Sequence, residues 1–517
     1  MITDTRNSMQ NTIHTTGLDA LYLASIDSGV KRITAVAGFP ITAVAEKFIR
    51  DNDNTYDLHW FTSEKSAMET ALGASVCGCR SLVLVKHVGM NLLADPLITS
   101  VTHTIGAGVV ILAGDDPAAF GSQNEQDSRW YGKIAEVMVF DPSGSQSAYS
   151  CLTRAFEISE EASAPVIIRI TDRLEKSEGC VLRTTPRTGV QGKHFEPSVW
   201  KLTMHGKHQR FHLRSQPILI REAEASPLNR VSLKGTVGMI SSGVVSAIVD
   251  STLSADNRWA DVSHLALDIV SPFPYGLVAD FLKRHESILV AEESEPFIES
   301  HVRVFGNVSG KETGHLPYGI LDKGHIVFAL ENLDKAHPGE YTSIQTIAER
   351  GPRPICSNCP YMPLYHILRR LDVMIAGDMG CSIRTAPEPL GAVDTGFSLG
   401  GAISTACGFN KKGIAVIGDF GLAHSGIVGL INAVDHGSDV LVIVLQNDVA
   451  AMTGGQPSPD VKEAVRALVP DLETFDLDAS VRNMGDAAAE ELERVIQEKL
   501  AQKGVSVIYV KCKCVMY

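Results

Sequence analysis

Along most of the chain, short unbroken apolar runs alternate with stretches whose apolar residues recur at helical spacing. In the first block, residues 18–28 and 64–79 carry the helical pattern, while 33–37, 81–86, 108–113 and 165–169 are strand-length apolar runs. Continuously apolar strands belong to a sheet covered on both faces, and strands separated by helices belong to a parallel one. The stretch 177–234 breaks the rhythm. It is basic and aperiodic, with Lys201, His205, His208 and Arg210, and reads as a linker or surface excursion. A smaller α/β block follows, with strands at 235–240 and 287–291 and helices at 244–253 and 274–285. After a loop at 336–354 a third block begins. Its strands are 373–376, 414–417, 440–445 and 505–510, with an Ala/Gly/Leu helix at 424–436. The expectation is an α/β protein divided at 1–180, 181–234, 235–340 and 341–517.

Composition narrows the class. A chain of 517 residues has room for about three domains. Its 44% hydrophobic and 21% charged residues exclude a disordered chain or a fibre. The 46 basic against 60 acidic residues, a net charge of −14, argue against nucleic acid or an anionic membrane as the main partner. The apolar runs fall far short of the ~20 residues of a membrane span. The polar start, 1–16, has no apolar core of a secretory signal. The cytoplasm is the expected compartment. Ten cysteines are too thinly spread for a disulfide scaffold.

Gly418 and Asp419 directly follow the apolar run of the third block, and Asn447 lies just past the next one. A ligand at the carboxyl ends of adjacent parallel strands would meet both residues. The Asp419 carboxylate, the Asn447 amide oxygen, the Val449 carbonyl and two diphosphate oxygens would nearly complete an octahedral Mg²⁺ shell. The glycines at 418 and 421 let a backbone approach phosphates. This is the layout of the thiamine-diphosphate motif. The spacing alone equally fits a helix-capping Asp and an unrelated loop Asn.

Cys356 and Cys359 form a C-x-x-C pair, Cys381 follows in Gly-Asp-Met-Gly-Cys, and Cys512 and Cys514 lie past the last strand. Four thiolates gathered this way suit a [4Fe–4S] cluster or a structural zinc site; a lone pair also suits unligated thiols. Cys77 and Cys79, beside an Ala/Gly helix, read as small packing residues. Glu64 begins that helix. It is either an ordinary first-turn glutamate or the acid that hydrogen-bonds a thiamine pyrimidine and drives it to its imino form.

Longer strings add specificity. The segment D-F-G-L-A-H-S-G-I-V-G-L-I-N at 419–432 and the run at 447–456 resemble the indolepyruvate:ferredoxin oxidoreductase α-subunit family, thiamine-dependent 2-oxoacid:ferredoxin oxidoreductases. So do G-F-P-I-T at 38–42, E-K-S-A-M-E at 64–69, K-H-V-G-M-N at 86–91, D-D-P at 115–117 and S-Q-N-E-Q-D at 122–127. Gln446 departs from the family, which usually has Asp there. The resemblance runs from about residue 17 to 514, in the family's domain order.

The resemblance implies a three-domain thiamine-enzyme architecture. Two parallel-sheet domains, pyrimidine-binding at 1–180 and diphosphate-binding at 341–517, flank a smaller transketolase C-terminal-like α/β domain at 235–340. The implied activity is oxidative decarboxylation of a 2-oxoacid, usually an aryl pyruvate such as indolepyruvate. Electrons pass through a [4Fe–4S] cluster to ferredoxin or a partner protein, and coenzyme A takes the acyl group. By the same resemblance, Pro40, Glu64, Gly380, Cys381, Gly418, Asp419, Phe420 and Asn447 hold thiamine diphosphate. Asp419, Asn447 and Val449 hold Mg²⁺. Cys356, Cys359, Cys381 and Cys514 hold the cluster, with Cys512 the alternative fourth ligand. Glu64 activates the cofactor, and Thr42 and Asn91 face the substrate. His424 handles protons at the reacting carbon, or else is a helix-start histidine bonded to backbone.

The family pairs this chain with a smaller γ-type β subunit, giving an α2 core or an α2β2 assembly. It usually extends the chain by a ferredoxin-like module. With the sequence ending at Tyr517, electrons are expected to leave the single cluster to a separate protein. Two other readings stay open. One is a non-oxidative thiamine decarboxylase or lyase with a structural metal site. The other is a non-catalytic scaffold subunit.

Overall fold

Two compact units, Met1–Thr346 and Ile347–Tyr517, make up the chain. The computed structural model describes residues 12–52, 54–184, 194–338, 355–477 and 486–517. Most of the loop expected at 336–354, and 185–193 of the basic stretch, lie outside the described residues.

The apolar runs of the first block become a seven-stranded sheet. Its order is Ile269–Ser271, Met138–Phe140, Val166–Thr171, Val109–Asp115, Ser81–Lys86, Arg32–Ala35, Asp57–Trp60. Every pair is parallel except the first. The central strands are buried throughout, save Lys86 at the end of one, as strands covered on both faces must be. Ile269–Ser271 comes from the second block and pairs antiparallel with Met138–Phe140, so the two blocks share a sheet edge. The second block forms a four-stranded sheet, ordered Ser287–Ala291, Val237–Ser242, Val262–Leu267, Arg230–Ser232.

The basic stretch is not an irregular excursion. Helices Met204–Arg210 and Gln216–Ala225 run through it, joined by a π turn at Phe211–Ser215. The wider π turn shifts the apolar face between the two helices, which hides the helical period. Phe211, Leu219 and Ala223 are buried. The buried Lys207 ammonium lies 3.6 Å from the centre of the Trp200 ring, a cation–π contact.

In the amino-terminal unit two fully buried arginines tie the sheets together. Arg129 reaches Asp127 at 2.5 Å and Glu292 at 2.6 Å, and donates to the Glu293 and Glu295 carbonyls, both at 3.0 Å. Arg169 pairs with Asp115 at 2.6 Å and Asp141 at 3.3 Å. Asp141 also accepts from Ser242 of the smaller sheet at 2.7 Å.

The carboxyl-terminal unit holds a five-stranded sheet, apart from a short ribbon, in the order Ile375–Gly377, Gly413–Gly418, Val440–Gln446, Val505–Lys511, Glu473–Asp476. All pairs within this sheet are parallel. Among the described residues no helix is long and apolar enough to cross a membrane.

Replacing one member of a buried ion pair strands the other, at a cost of about 3–5 kcal/mol. Arg129→Ala is expected to lower unfolding stability by about that much, read as a lower midpoint in denaturant titration. An unchanged midpoint would deny the arginine its bridging role.

Candidate active site

Because all five strands of the carboxyl-terminal sheet are parallel, their carboxyl ends lie along one edge. Ile375–Gly377 leads into Asp378, Gly413–Gly418 into Asp419, Val440–Gln446 into Asn447, and Val505–Lys511 into Cys512 and Cys514. Asp419 is buried. Its Oδ2 accepts the backbone N–H groups of Asn447 at 3.0 Å and Asp448 at 2.6 Å, and Oδ1 accepts that of Phe420 at 2.8 Å. Asn447 Oδ1 accepts the Val449 N–H at 3.1 Å. Pro457 stands opposite Val449 in a two-stranded ribbon and has no N–H to give the Val449 carbonyl. Burial pushes the Asp419 carboxyl up to about 6. A desolvated carboxylate, an amide oxygen and a carbonyl form the all-oxygen donor set that suits Mg²⁺. A Cβ at Gly380 or Gly418 would meet nothing within 4 Å, so both glycines border open space.

Asp378 escaped the sequence reading, which took only Gly380 and Cys381 from Gly-Asp-Met-Gly-Cys. It is buried, and Oδ1 accepts the Gly400 N–H at 2.6 Å. A Cβ at Gly421 would stand 2.2 Å from its Oδ2, so only glycine fits there. Burial pushes this carboxyl up to about 7. The available signal was a second Gly-Asp pair at a strand end, matching 418–419. His424 lies in a π turn, Leu422–Gly426, inside a continuous helical stretch rather than at a helix start. Its Nδ1 is 3.0 Å from Ser425 Oγ. π turns of this kind recur at functional sites.

All ten cysteines are free thiols. Cys359 is within electrostatic reach of Cys356 and Cys514, and Cys381 of Cys359, Cys514 and Cys356. Burial, aided by the neighbouring thiols, pushes Cys381 up to about 11 and raises Cys359. No three of these thiols lie within 4.8 Å of one another, whereas tetrahedral zinc brings its sulfurs to about 3.8 Å apart. Beside them, Tyr365 is fully buried and its hydroxyl has no hydrogen-bond partner. An acceptor among the thiols, such as a cluster sulfur, would satisfy it. Cys512 instead packs in the apolar core. Tyr361 fastens the two strand ends, donating to the Gln446 and Cys512 carbonyls at 2.9 and 3.2 Å. Cys77 is exposed, so it is not the packing residue expected; it caps the end of its helix, past the face that meets the sheet.

In the amino-terminal unit the matched strings lie at the carboxyl ends of parallel strands. Glu64 opens helix Glu64–Val76 and is buried. Its carboxyl lies against Gly89, where a Cβ would come within 2.5 Å of Oε1. Pro40 is buried in the 38–42 loop. Thr42 Oγ1 accepts the Gly38 N–H at 2.9 Å and donates to the Gly38 carbonyl at 3.1 Å, closing that loop on itself. Asn91 exchanges hydrogen bonds with Gln126 at 3.1 and 3.0 Å and accepts one from Tyr131. Both polar atoms of its amide are therefore engaged within the chain. Lys86 was not singled out from the sequence. Burial pushes its ammonium down to about 8, and it donates to the Gly121 carbonyl at 3.1 Å.

Residues 378–510, which include Asp378, Asp419 and Asn447, match the family described as thiamine pyrophosphate enzyme, C-terminal TPP binding domain. The carboxyl-terminal unit is thus a thiamine-diphosphate-binding domain. Over nearly the whole chain the likeness is closer to one kind of such enzyme. Indolepyruvate oxidoreductase subunit IorA of Methanothermobacter marburgensis is 32% identical over 86% of this chain and 76% of its own length. That of Archaeoglobus fulgidus is 31% identical over the same shares. The chain belongs to the indolepyruvate oxidoreductase subunit IorA family. Among solved structures, a 2-oxoglutarate:ferredoxin oxidoreductase from Magnetococcus marinus shares the fold, with a TM-score of 0.51 and 16% identity over 62% of this chain and 65% of that one.

The carboxyl of Asp378 holds its proton up to about pH 7 in the fold, whereas in the unfolded chain it releases it near the ordinary carboxylate value of about 3.9. Folding takes up a proton between these limits, so stability falls as pH rises through that window and is flat above it. Asp378→Asn should flatten this slope in denaturant midpoints measured from pH 5 to 8. A slope unchanged by the substitution would assign it to other groups.

Proposed function

We propose that this chain carries out the oxidative decarboxylation of a 2-oxoacid, an aryl pyruvate by its kinship with the IorA subunits. The proposed cofactors are thiamine diphosphate, Mg²⁺ and a [4Fe–4S] cluster. The 2-oxoacid and coenzyme A give the acyl-CoA thioester, CO₂, a proton and two electrons. A [4Fe–4S] cluster held by the cysteines would supply one-electron chemistry, with ferredoxin or a partner protein as the acceptor. As a subunit the chain works with a smaller γ-type β subunit, in an α2 or α2β2 assembly, in the cytoplasm.

Bound thiamine diphosphate supplies an electron sink at the carbon that loses CO₂. Asp419, Asn447 and the Val449 carbonyl are the Mg²⁺ ligands, and Gly380, Cys381, Gly418 and Phe420 border the diphosphate. Pro40 and Glu64 meet the pyrimidine, where the Glu64 carboxyl holds a proton at a ring nitrogen. His424 moves a proton near the reacting carbon. Thr42 and Asn91 lie on the substrate side, each held in place by its own hydrogen bonds. Cys356, Cys359, Cys381 and Cys514 ligate the cluster.

The observation that supports this reading most is the composition of one sheet edge. Adjacent parallel strands end in the oxygen donors Asp419 and Asn447, and the flanking strands lead to Cys381 and Cys514.

Anaerobically purified chain, co-expressed with its partner subunit, should reduce a viologen dye when given a 2-oxoacid and coenzyme A. Glu64→Ala should abolish this turnover. Gly89→Ala should lower it strongly, because the added methyl displaces the Glu64 carboxyl. Unchanged turnover in both would remove Glu64 from the chemistry.

Iron and acid-labile sulfide should fall in Cys514→Ser and persist in Cys512→Ser. Zinc without sulfide in the native chain would overturn the cluster.

A further inference from the structure

The helical stretch missed by the sequence reading places His208, His212 and Gln216 at four-residue intervals. They stand beside Glu136, the residue that caps helix Trp130–Ala135. His208 Nε2 lies 3.5 Å and His212 Nε2 3.2 Å from the same atom, Glu136 Oε2. The two imidazole centres are 4.4 Å apart. One ligand atom from each of the three residues lies within 4.8 Å of the others, the group that meets this spacing among the described residues.

Two features turn this cluster toward a metal ion. A tetrahedral centre with bonds of about 2.0–2.1 Å spaces its ligand atoms about 3.3 Å apart, so the two oxygen–nitrogen separations match tetrahedron edges. Gln216 Nε2 donates to the other carboxylate oxygen, Oε1, at 3.2 Å, which leaves Oε2 facing the histidines. The side chains of His208, His212 and Glu136 are 52%, 40% and 34% exposed, so an ion can enter directly from solvent.

We propose that Glu136, His208 and His212 form a transition-metal site that takes Zn²⁺, with the fourth position open to water. Two imidazoles and one carboxylate favour a borderline ion over Mg²⁺ or Ca²⁺, which take oxygen shells. The bound ion clips the 204–225 stretch to the end of helix Trp130–Ala135, both within the amino-terminal unit. None of its ligands takes part in the proposed 2-oxoacid reaction, so the site stands or falls independently of that function.

The test is Zn²⁺ titration of the purified chain by calorimetry, with Co²⁺ as a spectroscopic probe. The native chain should take one equivalent more Zn²⁺ than His208→Gln/His212→Gln. The Co²⁺ bound in that equivalent should show d–d bands without the thiolate charge-transfer band that marks binding at the cysteines. Gln216→Ala keeps all three ligands and should weaken Zn²⁺ binding by about 10–100-fold. Equal stoichiometry and affinity in the native chain and a folded double variant overturns the proposal. If the double variant does not fold, unchanged Zn²⁺ affinity in both Gln216→Ala and Glu136→Gln overturns it.

Discussion

The arrangement of the carboxyl-terminal unit depends on how one desolvated carboxylate is satisfied. Asp419 sits at the end of an interior strand, away from water, and takes its donors from backbone N–H groups at Phe420, Asn447 and Asp448. Two of those groups belong to the turn after the neighbouring strand. The carboxylate therefore sets where that turn lies, and with it the Asn447 amide and the Val449 carbonyl. Asp378 acts similarly at the end of the adjacent strand, holding the Gly400 backbone close against Gly421.

The amino-terminal unit solves a different electrostatic problem. Asp115 and Asp127, at the two ends of the 115–127 stretch, are buried, and the arginines at 169 and 129 neutralise them. Asp116 instead clamps the following turn, accepting from Phe120 at 3.2 Å and Gly121 at 2.7 Å. The strings D-D-P and S-Q-N-E-Q-D thus owe much of their content to folding. Gln126 is the exception, since it holds Asn91.

Much of the fold was legible because its buried strands are nearly unbroken apolar runs: 81–86 and 287–291 match the observed strands residue for residue, and 440–445 misses one end residue. Sheet order was not legible, since pairing depends on contacts distant in sequence. The crossing of Ile269–Ser271 into the larger sheet left no local mark. Helix 204–225 was hidden by its π turn and by basic residues on its solvent face. At the candidate site, Asp419 and Asn447 stood out because a strand-end signal preceded each. Asp378 carried the same signal but was overshadowed by its cysteine. The hydroxyl of Tyr365 and the ammonium of Lys86 gained meaning only from burial, a property of packing rather than of the residue.

The carboxyl-terminal Tyr517 ring lies directly on Gly455, where a Cβ would come within 2.5 Å of it. Gly455 adopts a φ of +77° and belongs to the turn that follows Asn447, while Tyr517 ends the segment that carries Cys514. The turn beside the oxygen donors and the tail beside the thiols are thereby geared together. Displacing either one pushes on the other through a single flat ring.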